Sequence, residues 1–332
     1  MSGSHVNDLL LRYGISWARV RAVSNLDCDI YRITPSEWRS HAPALPPGDL
    51  ALRIYPDEKA ELAAVEAEVE WLLTLSDDGV HVPRPVADGE GRIVQPWRER
   101  PDAPERHAVL LTWLAGRMHD RGLNPARLQR IGELTARLHL SSQALAQAGR
   151  FKTTRPAFGP DLQAWASGRR AASVHVPQTL HRLVAQAAAR LAAELDGFSR
   201  DDRGHGFVHA DLHPWNIVFT GRVAGAFDFS DCGWGHHAMD LATTLQYLKH
   251  PLANNHDHRA QYPRLHDSLL AGYARIRPLP ADVERQIDAF IVARMVGTLE
   301  WILDDWPRPD HRAWGPGFLS RCGVVFADYL DS

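Results

Sequence analysis

The sequence predicts an α+β protein in two parts, a small antiparallel sheet with one helix followed by a larger, mainly helical part. Three observations carry this. Short β-branched and aromatic runs are confined to the first 114 residues or so, apart from one later hairpin. Apolar residues at three- and four-residue spacing dominate from Pro125 onward. A small-residue break at Ala115-Gly116 separates the two patterns, giving predicted lobes 1–114 and 115–332.

Taken in order, Val6 to Tyr13 is a short amphipathic helix stopped by Gly14. Trp17 to Val23 and Ile30 to Ile33 alternate as strands around the polar turn Ser24 to Asp29. Asp49 to Tyr55 is a third strand, after a proline-rich loop from Pro43 to Gly48. Asp57 to Leu75 has a charged first turn and then Leu62, Val65, Val69, Leu72 and Leu73 on one helical face. Pro83 and Pro85 force extended backbone after it. Arg92 to Gln95 and Ala108 to Trp113 complete an expected sheet of five strands.

In the second part, Pro125 to Gln147 and Pro177 to Leu195 read as helices, with a Gly-, Pro- and aromatic-rich passage between them. Met239 to Leu248, Tyr262 to Arg275, Ala281 to Trp306 and Leu319 to Leu330 read as four more. With 45% hydrophobic and 23% charged residues, the 332-residue chain has the composition of a globular protein with a sizeable core. A net charge of −3 argues against a nucleic-acid partner. No apolar run reaches the length of a membrane span, and the three scattered cysteines form no framework; both predict a cytoplasmic protein without a membrane partner. Its oligomeric state is not legible.

The chemistry is concentrated between Gly206 and Asp231. His209-x-Asp211-x-x-x-x-Asn216 lies between the apolar runs Phe207-Val208 and Ile217 to Phe219. Thr220-Gly221 then turns the chain into a second strand-like run, Val223 to Phe229, which contains Asp228-Phe-Ser-Asp231. A carboxylate five positions before an amide, with another carboxylate one hairpin later, suits phosphoryl transfer. Asp211 would be the base that orients a hydroxyl, while Asn216 and Asp228 would be hard oxygen ligands for Mg²⁺. A different reading takes His209, Asp211 and His213 as alternating zinc ligands of a hydrolase. That leaves Asn216 and Asp228 without a role.

These motifs resemble the aminoglycoside phosphotransferase and choline-kinase-like family of small-molecule kinases, in which a small residue, here Ala210, precedes the loop aspartate. The resemblance implies a two-lobed, protein-kinase-like fold, ATP and Mg²⁺ as cofactors, and a small-molecule hydroxyl as substrate. It implies that the first hairpin lies over the ATP phosphates, with Asn25 near them. Arg53 stands where kinases carry the phosphate-binding lysine, and Glu68 is its favoured partner among Glu61, Glu66, Glu68 and Glu70. Thr112, Trp113 and Leu114 fall at the hinge that would hold adenine. His209 and Asp231 would stand behind the reacting groups, and Asp240, in Gly235-His-His-Ala-Met-Asp240, would brace the catalytic loop.

His139, in Ala136-Arg-Leu-His139, reads as a core histidine behind that loop. Asp304-Asp305, beside Trp301 and Trp306, is a candidate site for a cationic amine, or else solvated surface. The acceptor reads as an amino alcohol, a sugar, a homoserine-like metabolite or an aminoglycoside. Transfer to protein Ser/Thr, or nucleotide binding without catalysis, are the other readings.

Overall fold

The computed structural model describes the chain except residues 1–2, 25–27, 39–44, 57–60, 101, 120–121, 171–173, 252–257 and 280–281. Its contacts divide it into two compact units. The first comprises Met1–Arg117 together with Ala144–Arg155 and Val218–Ser230, and the second comprises Met118–Gln143, Pro156–Ile217 and Asp231–Ser332.

The first unit opens with helix α1 (Gly3–Arg12), then strands β1 (Ile15–Ser24), β2 (Asp29–Trp38) and β3 (Leu50–Ile54). Helix α2 (Leu62–Asp77) follows, then β4 (Pro85–Val86), β5 (Val94–Trp97) and β6 (Arg106–Thr112). The sheet has six strands, all antiparallel, in the order β1-β2-β3-β6-β4, with β5 also paired to β6. The extra strand relative to the five expected is β4. Pro85 can enter the ladder because it begins an edge strand, where its missing N–H costs nothing. Side chains alternate across β3. Leu50, Leu52 and Ile54 join Val6, Leu9, Leu10 and Tyr13 in one core, while Arg53 turns to the opposite face and meets α2.

The second unit is mainly helical: α3 (Pro125–Gln147, whose last turn belongs to the first unit), α4 (Leu162–Ala166), α5 (Gln178–Asp196), α6 (Ala238–Lys249), α7 (Tyr262–Ala274), α8 (Val283–Asp304) and α9 (Pro309–Asp331). Strand β7 (His205–Val208) pairs antiparallel with β10 (Gly233–His236). Strand β8 (Ile217–Thr220) pairs with β9 (Val223–Ala226), a hairpin that from Val218 onward belongs to the first unit. Strand β9 ends before Asp228, so the expected run to Phe229 is shorter than predicted. Helix α9 begins at Pro309 rather than near Leu319, and it runs through Pro316. Packing overrides the local signal there. A Cβ on Gly315 would lie 2.5 Å from the Trp306 ring, and His311, Phe318, Cys322 and Phe326 are fully buried.

Helices α3 and α7 touch backbone to backbone. A Cβ on Gly132 would come within 2.0 Å of the Leu269 carbonyl oxygen, and one on Gly272 within 1.9 Å of that of Gln129. Gly272→Ala is therefore expected to cost about 1–3 kcal/mol or more of stability, read from urea denaturation. An unchanged midpoint would show that the two helices separate freely.

Candidate functional site

In the second unit the chain leaves β7 at Val208 and reaches β8 through a short 3₁₀ turn, Pro214–Asn216. His213 caps that turn, its Nδ1 accepting from the N–H of Trp215 at 3.2 Å. With Nδ1 an acceptor, the ring proton lies on Nε2, which points at Asp211 Oδ2 from 3.3 Å. Asn216 Nδ2 donates to the same oxygen at 2.9 Å and to the Asp211 carbonyl at 3.0 Å. Arg294, on α8, pairs with Asp211 Oδ1. Burial pushes the Asp211 carboxyl up, but His213 and Arg294 outweigh it and hold the group well below the ordinary carboxylate range. Asp211 is thus an ionised carboxylate fixed by three donors, with 19% of its side chain exposed.

The loop is braced from α6. Ala210 has φ of 71°, a left-handed conformation that a non-glycine residue adopts at a cost of roughly 1–2 kcal/mol. That bend turns two successive N–H groups, of His209 and Ala210, onto the Asp240 carboxylate at 3.0 and 2.7 Å. His139 Nε2 lies 2.9 Å from the same carboxylate, its Nδ1 lies 2.9 Å from the Tyr273 hydroxyl, and Arg277 donates to that hydroxyl at 3.0 Å. The hydroxyl already accepts from Arg277, so it donates to Nδ1 and leaves the imidazole proton for Asp240. Burial keeps His139 below its usual pKa and neutral. Burial also opposes the Asp240 charge, but the bonds from His139 and His209 reverse the sign and hold that carboxyl low.

Tyr273→Phe removes the middle of this relay. It is expected to cost about 1–3 kcal/mol by removing the hydroxyl partner of Arg277 Nη1 and His139 Nδ1, with a smaller loss of kcat; thermal unfolding and steady-state rates would check it. His209, fully buried, accepts from the Asp211 N–H at 3.3 Å through Nδ1. Asp231 takes part through its carbonyl, which accepts from Phe158 N at 3.0 Å.

The first unit holds a separate constellation. Arg53, 5% exposed, pairs with Glu68 Oε1 at 2.6 Å and with Asp228 Oδ1 at 3.3 Å. Glu68 is 1% exposed, so it does not belong to a solvated face. Burial alone would depress the Arg53 pKa, but the two carboxylates raise it well above normal. Its buried Nε finds no acceptor. Asp228 has φ of 64°, which an aspartate tolerates better than most residues, and Ser230 Oγ donates to its Oδ1 at 3.1 Å.

At the expected hinge, the N–H groups of Thr112 and Trp113 are engaged by the carbonyls of Arg84 (2.9 Å) and Asp49 (3.0 Å). Those two N–H groups are therefore not the ones that would meet a purine edge. Asn25 lies outside the described residues.

Arg294 was missed by the sequence reading. The signal was there: it is the only charged residue between Asp288 and Glu300, in a helix otherwise buried over that span. An aromatic series also starts at the loop. Trp215 lies 5.4 Å from Tyr247 and 6.4 Å from Trp314, and Trp314 lies 6.4 Å from Trp301. The acidic pair suggested for a cationic amine is solvated: Asp304 is 65% exposed and pairs with Arg170, and Asp305 is 58% exposed near Arg308. Nor does the zinc reading hold, since among the described residues no group of three or more His, Cys, Asp or Glu is gathered to hold a metal.

Comparison with known proteins agrees with this geometry. Residues 36–285 match the model of the phosphotransferase enzyme family. A homoserine kinase of Gluconacetobacter diazotrophicus is 32% identical over 246 residues, covering 72% of this chain and 68% of that protein. A homoserine kinase of Hyphomonas neptunium is 32% identical over 238 residues, covering 70% and 68%. The chain thus spans about two thirds of the length of these relatives.

Among solved structures, an amicoumacin kinase complexed with AMP-PNP and Ca²⁺ superposes with a TM-score of 0.78 at 19% identity, over 97% of this chain and 93% of that one. A microcompartment-associated aminopropanol kinase superposes with a TM-score of 0.75 at 22% identity, over 99% and 97%. The fold is that of the protein-kinase-like small-molecule kinases. The chain belongs to the phosphotransferase enzyme family, whose reaction class is transfer of phosphate from ATP to a hydroxyl of a small molecule.

Proposed function

We propose that this protein phosphorylates the hydroxyl of a small metabolite, an amino alcohol, a sugar or a homoserine-like compound, with Asp211 as the catalytic base. The observation that carries this is the ionised Asp211 carboxylate, locked by the Asn216 amide in a loop that Asp240 braces. Homoserine-kinase relatives support the metabolite class.

Residues 1–114 are the nucleotide-binding part in this reading, with Asp228 as a further group of the first unit, and the rest carries the acceptor. Arg53 has a buried Nε–H to spare and is fixed by Glu68, which fits it to steady a phosphate oxygen. Asn216, with its amide nitrogen committed to Asp211, has its oxygen left for a cation. Asp228 offers a carboxylate 37% exposed. Hard oxygen donors in that number suit Mg²⁺, which takes its remaining positions from water and phosphate. When bound, the metal supplies neutralisation of charge on the phosphates.

In the reaction, the acceptor oxygen attacks the γ-phosphorus in line as ADP departs with the bridging oxygen. The hydroxyl proton passes to Asp211. The protein contributes by holding the base still rather than by covalent chemistry. A cytoplasmic location, where ATP is supplied, accompanies this reading. Among the described residues no helix is long and apolar enough to cross a membrane.

The test is ADP release with ATP·Mg²⁺ and a panel of L-homoserine, amino alcohols, sugars and aminoglycosides. Acceptor-dependent release, lost in Asp211→Asn, is the expected result. Nucleotide binding without turnover on any acceptor would replace this reading with a non-catalytic module, and turnover only with a protein acceptor would replace it with a Ser/Thr kinase.

A further inference from the structure

Arg294 is an unusual neighbour for a base. It sits on α8 in an otherwise apolar, buried run, yet its guanidinium pairs with the oxygen of Asp211 that neither Asn216 nor His213 occupies. That is the oxygen left to meet a hydroxyl. The cation is 26% exposed, so it can be reached from solvent.

The same helix face carries Trp301 two turns further on, about 10 Å along the axis. Trp301 meets Trp314 of α9, and Trp314 meets Trp215, which belongs to the same loop as Asp211. Trp215, Trp314 and Trp301 thus form a half-buried indole series that starts in the loop of Asp211 and ends on the helix that carries Arg294. Arg308 already lies over the Trp301 ring, 5.2 Å from its centroid, so the indole series suits an apolar stem, while the guanidinium fork of Arg294 suits a carboxylate.

We infer that Arg294 is the anchor for a carboxylate on the acceptor, which narrows the substrate class to hydroxy acids of the amino-acid type. The inference rests on the phosphotransferase reading above. In the free protein Asp211 is the counter-ion of Arg294. An acceptor carboxylate takes over as that counter-ion and uncovers Asp211 Oδ1 for the hydroxyl proton. An acceptor without a carboxylate leaves the ion pair closed and the base covered. One guanidinium then faces two carboxylates, so the negative charge of Asp211 keeps only the Asn216 and His213 contacts on its other oxygen and is left to draw the hydroxyl proton.

The test uses the full chain with ATP·Mg²⁺ and three acceptors: L-homoserine, 3-aminopropan-1-ol, which lacks the carboxylate, and 4-hydroxybutanoate, which lacks the ammonium. Wild type is expected to favour homoserine over 3-aminopropan-1-ol by about 100-fold or more in kcat/KM. 4-Hydroxybutanoate should fall between them. Arg294→Gln should shrink the homoserine preference to within about tenfold, chiefly through the KM for homoserine, and Arg294→Lys should give an intermediate ratio because it keeps charge without the fork.

Both acceptors are measured on the same preparation, so the ratio does not depend on how much of a variant folds. Equal losses for both acceptors in Arg294→Gln, or a wild type that turns over 3-aminopropan-1-ol as well as homoserine, would overturn the anchor while leaving the kinase intact. Absence of turnover with every acceptor of the wider panel would remove the kinase reading and the anchor with it.

Discussion

Asp211→Asn is expected to lower kcat by about 10²–10⁴-fold while the affinity for an ATP analogue changes little. The substitution keeps the shape that accepts from Asn216 and His213, but an amide cannot take the hydroxyl proton. It also removes the counter-ion of Arg294, a charge that is only a quarter exposed. Some loss of stability should therefore accompany the loss of rate, and the two have to be separated. Saturating single-turnover rates do this, because they report the chemical step of the folded, nucleotide-loaded fraction. If the variant retained more than a tenth of wild-type kcat, Asp211 would be a structural acid and not the base.

How much of this was legible in advance follows from where each constraint resides in the chain. The loop from His209 to Asn216 could be read because the chemistry fixes residue types at short spacing, and the turn between β8 and β9 announces itself through Thr220-Gly221. Asp240 was legible only by resemblance. What makes it a brace is the left-handed Ala210, and no propensity rule places an alanine there. The Arg294–Asp211 pair spans 83 residues and depends on how α8 packs against the loop. Its trace was a lone charge in an apolar run, a sign of a paired cation rather than of any particular partner.

Strand β10 was not seen because Gly-Trp-Gly-His has little strand character. It pairs with β7 on one side, and its glycines admit a second close neighbour, a Cβ on Gly233 falling 2.5 Å from the Pro156 carbonyl oxygen. The beginning of α9 was hidden by Gly315-Pro316-Gly317, which reads as a loop wherever tertiary packing does not intervene. Misread elements are thus those held by distant contacts, and the motif loop was read correctly as a loop because its signal is local.

Glu68→Ala is expected to destabilise the protein by about 3–5 kcal/mol and to abolish most activity. The pair it breaks is buried on both sides, 6% and 1% exposed at the side chains, with a 2.6 Å bond. Removing the glutamate leaves the Arg53 guanidinium in the interior with Asp228, at 3.3 Å, as its remaining carboxylate among the described residues. The cost comes from the stranded positive charge more than from the missing hydrogen bond, and a second variant makes that distinction. Replacing both partners, Arg53→Met with Glu68→Met, removes the orphaned charge and fills similar volume. It should recover most of the stability, since such replacements are often neutral or better. Activity should not return, because no guanidinium remains to steady a phosphate and Asp228 has lost the cation that positions it. Denaturant midpoints and ATP turnover on the same three proteins would check this. Recovery of both stability and turnover in the double variant would reduce the ion pair to a structural element of the first unit and take Arg53 out of the nucleotide site.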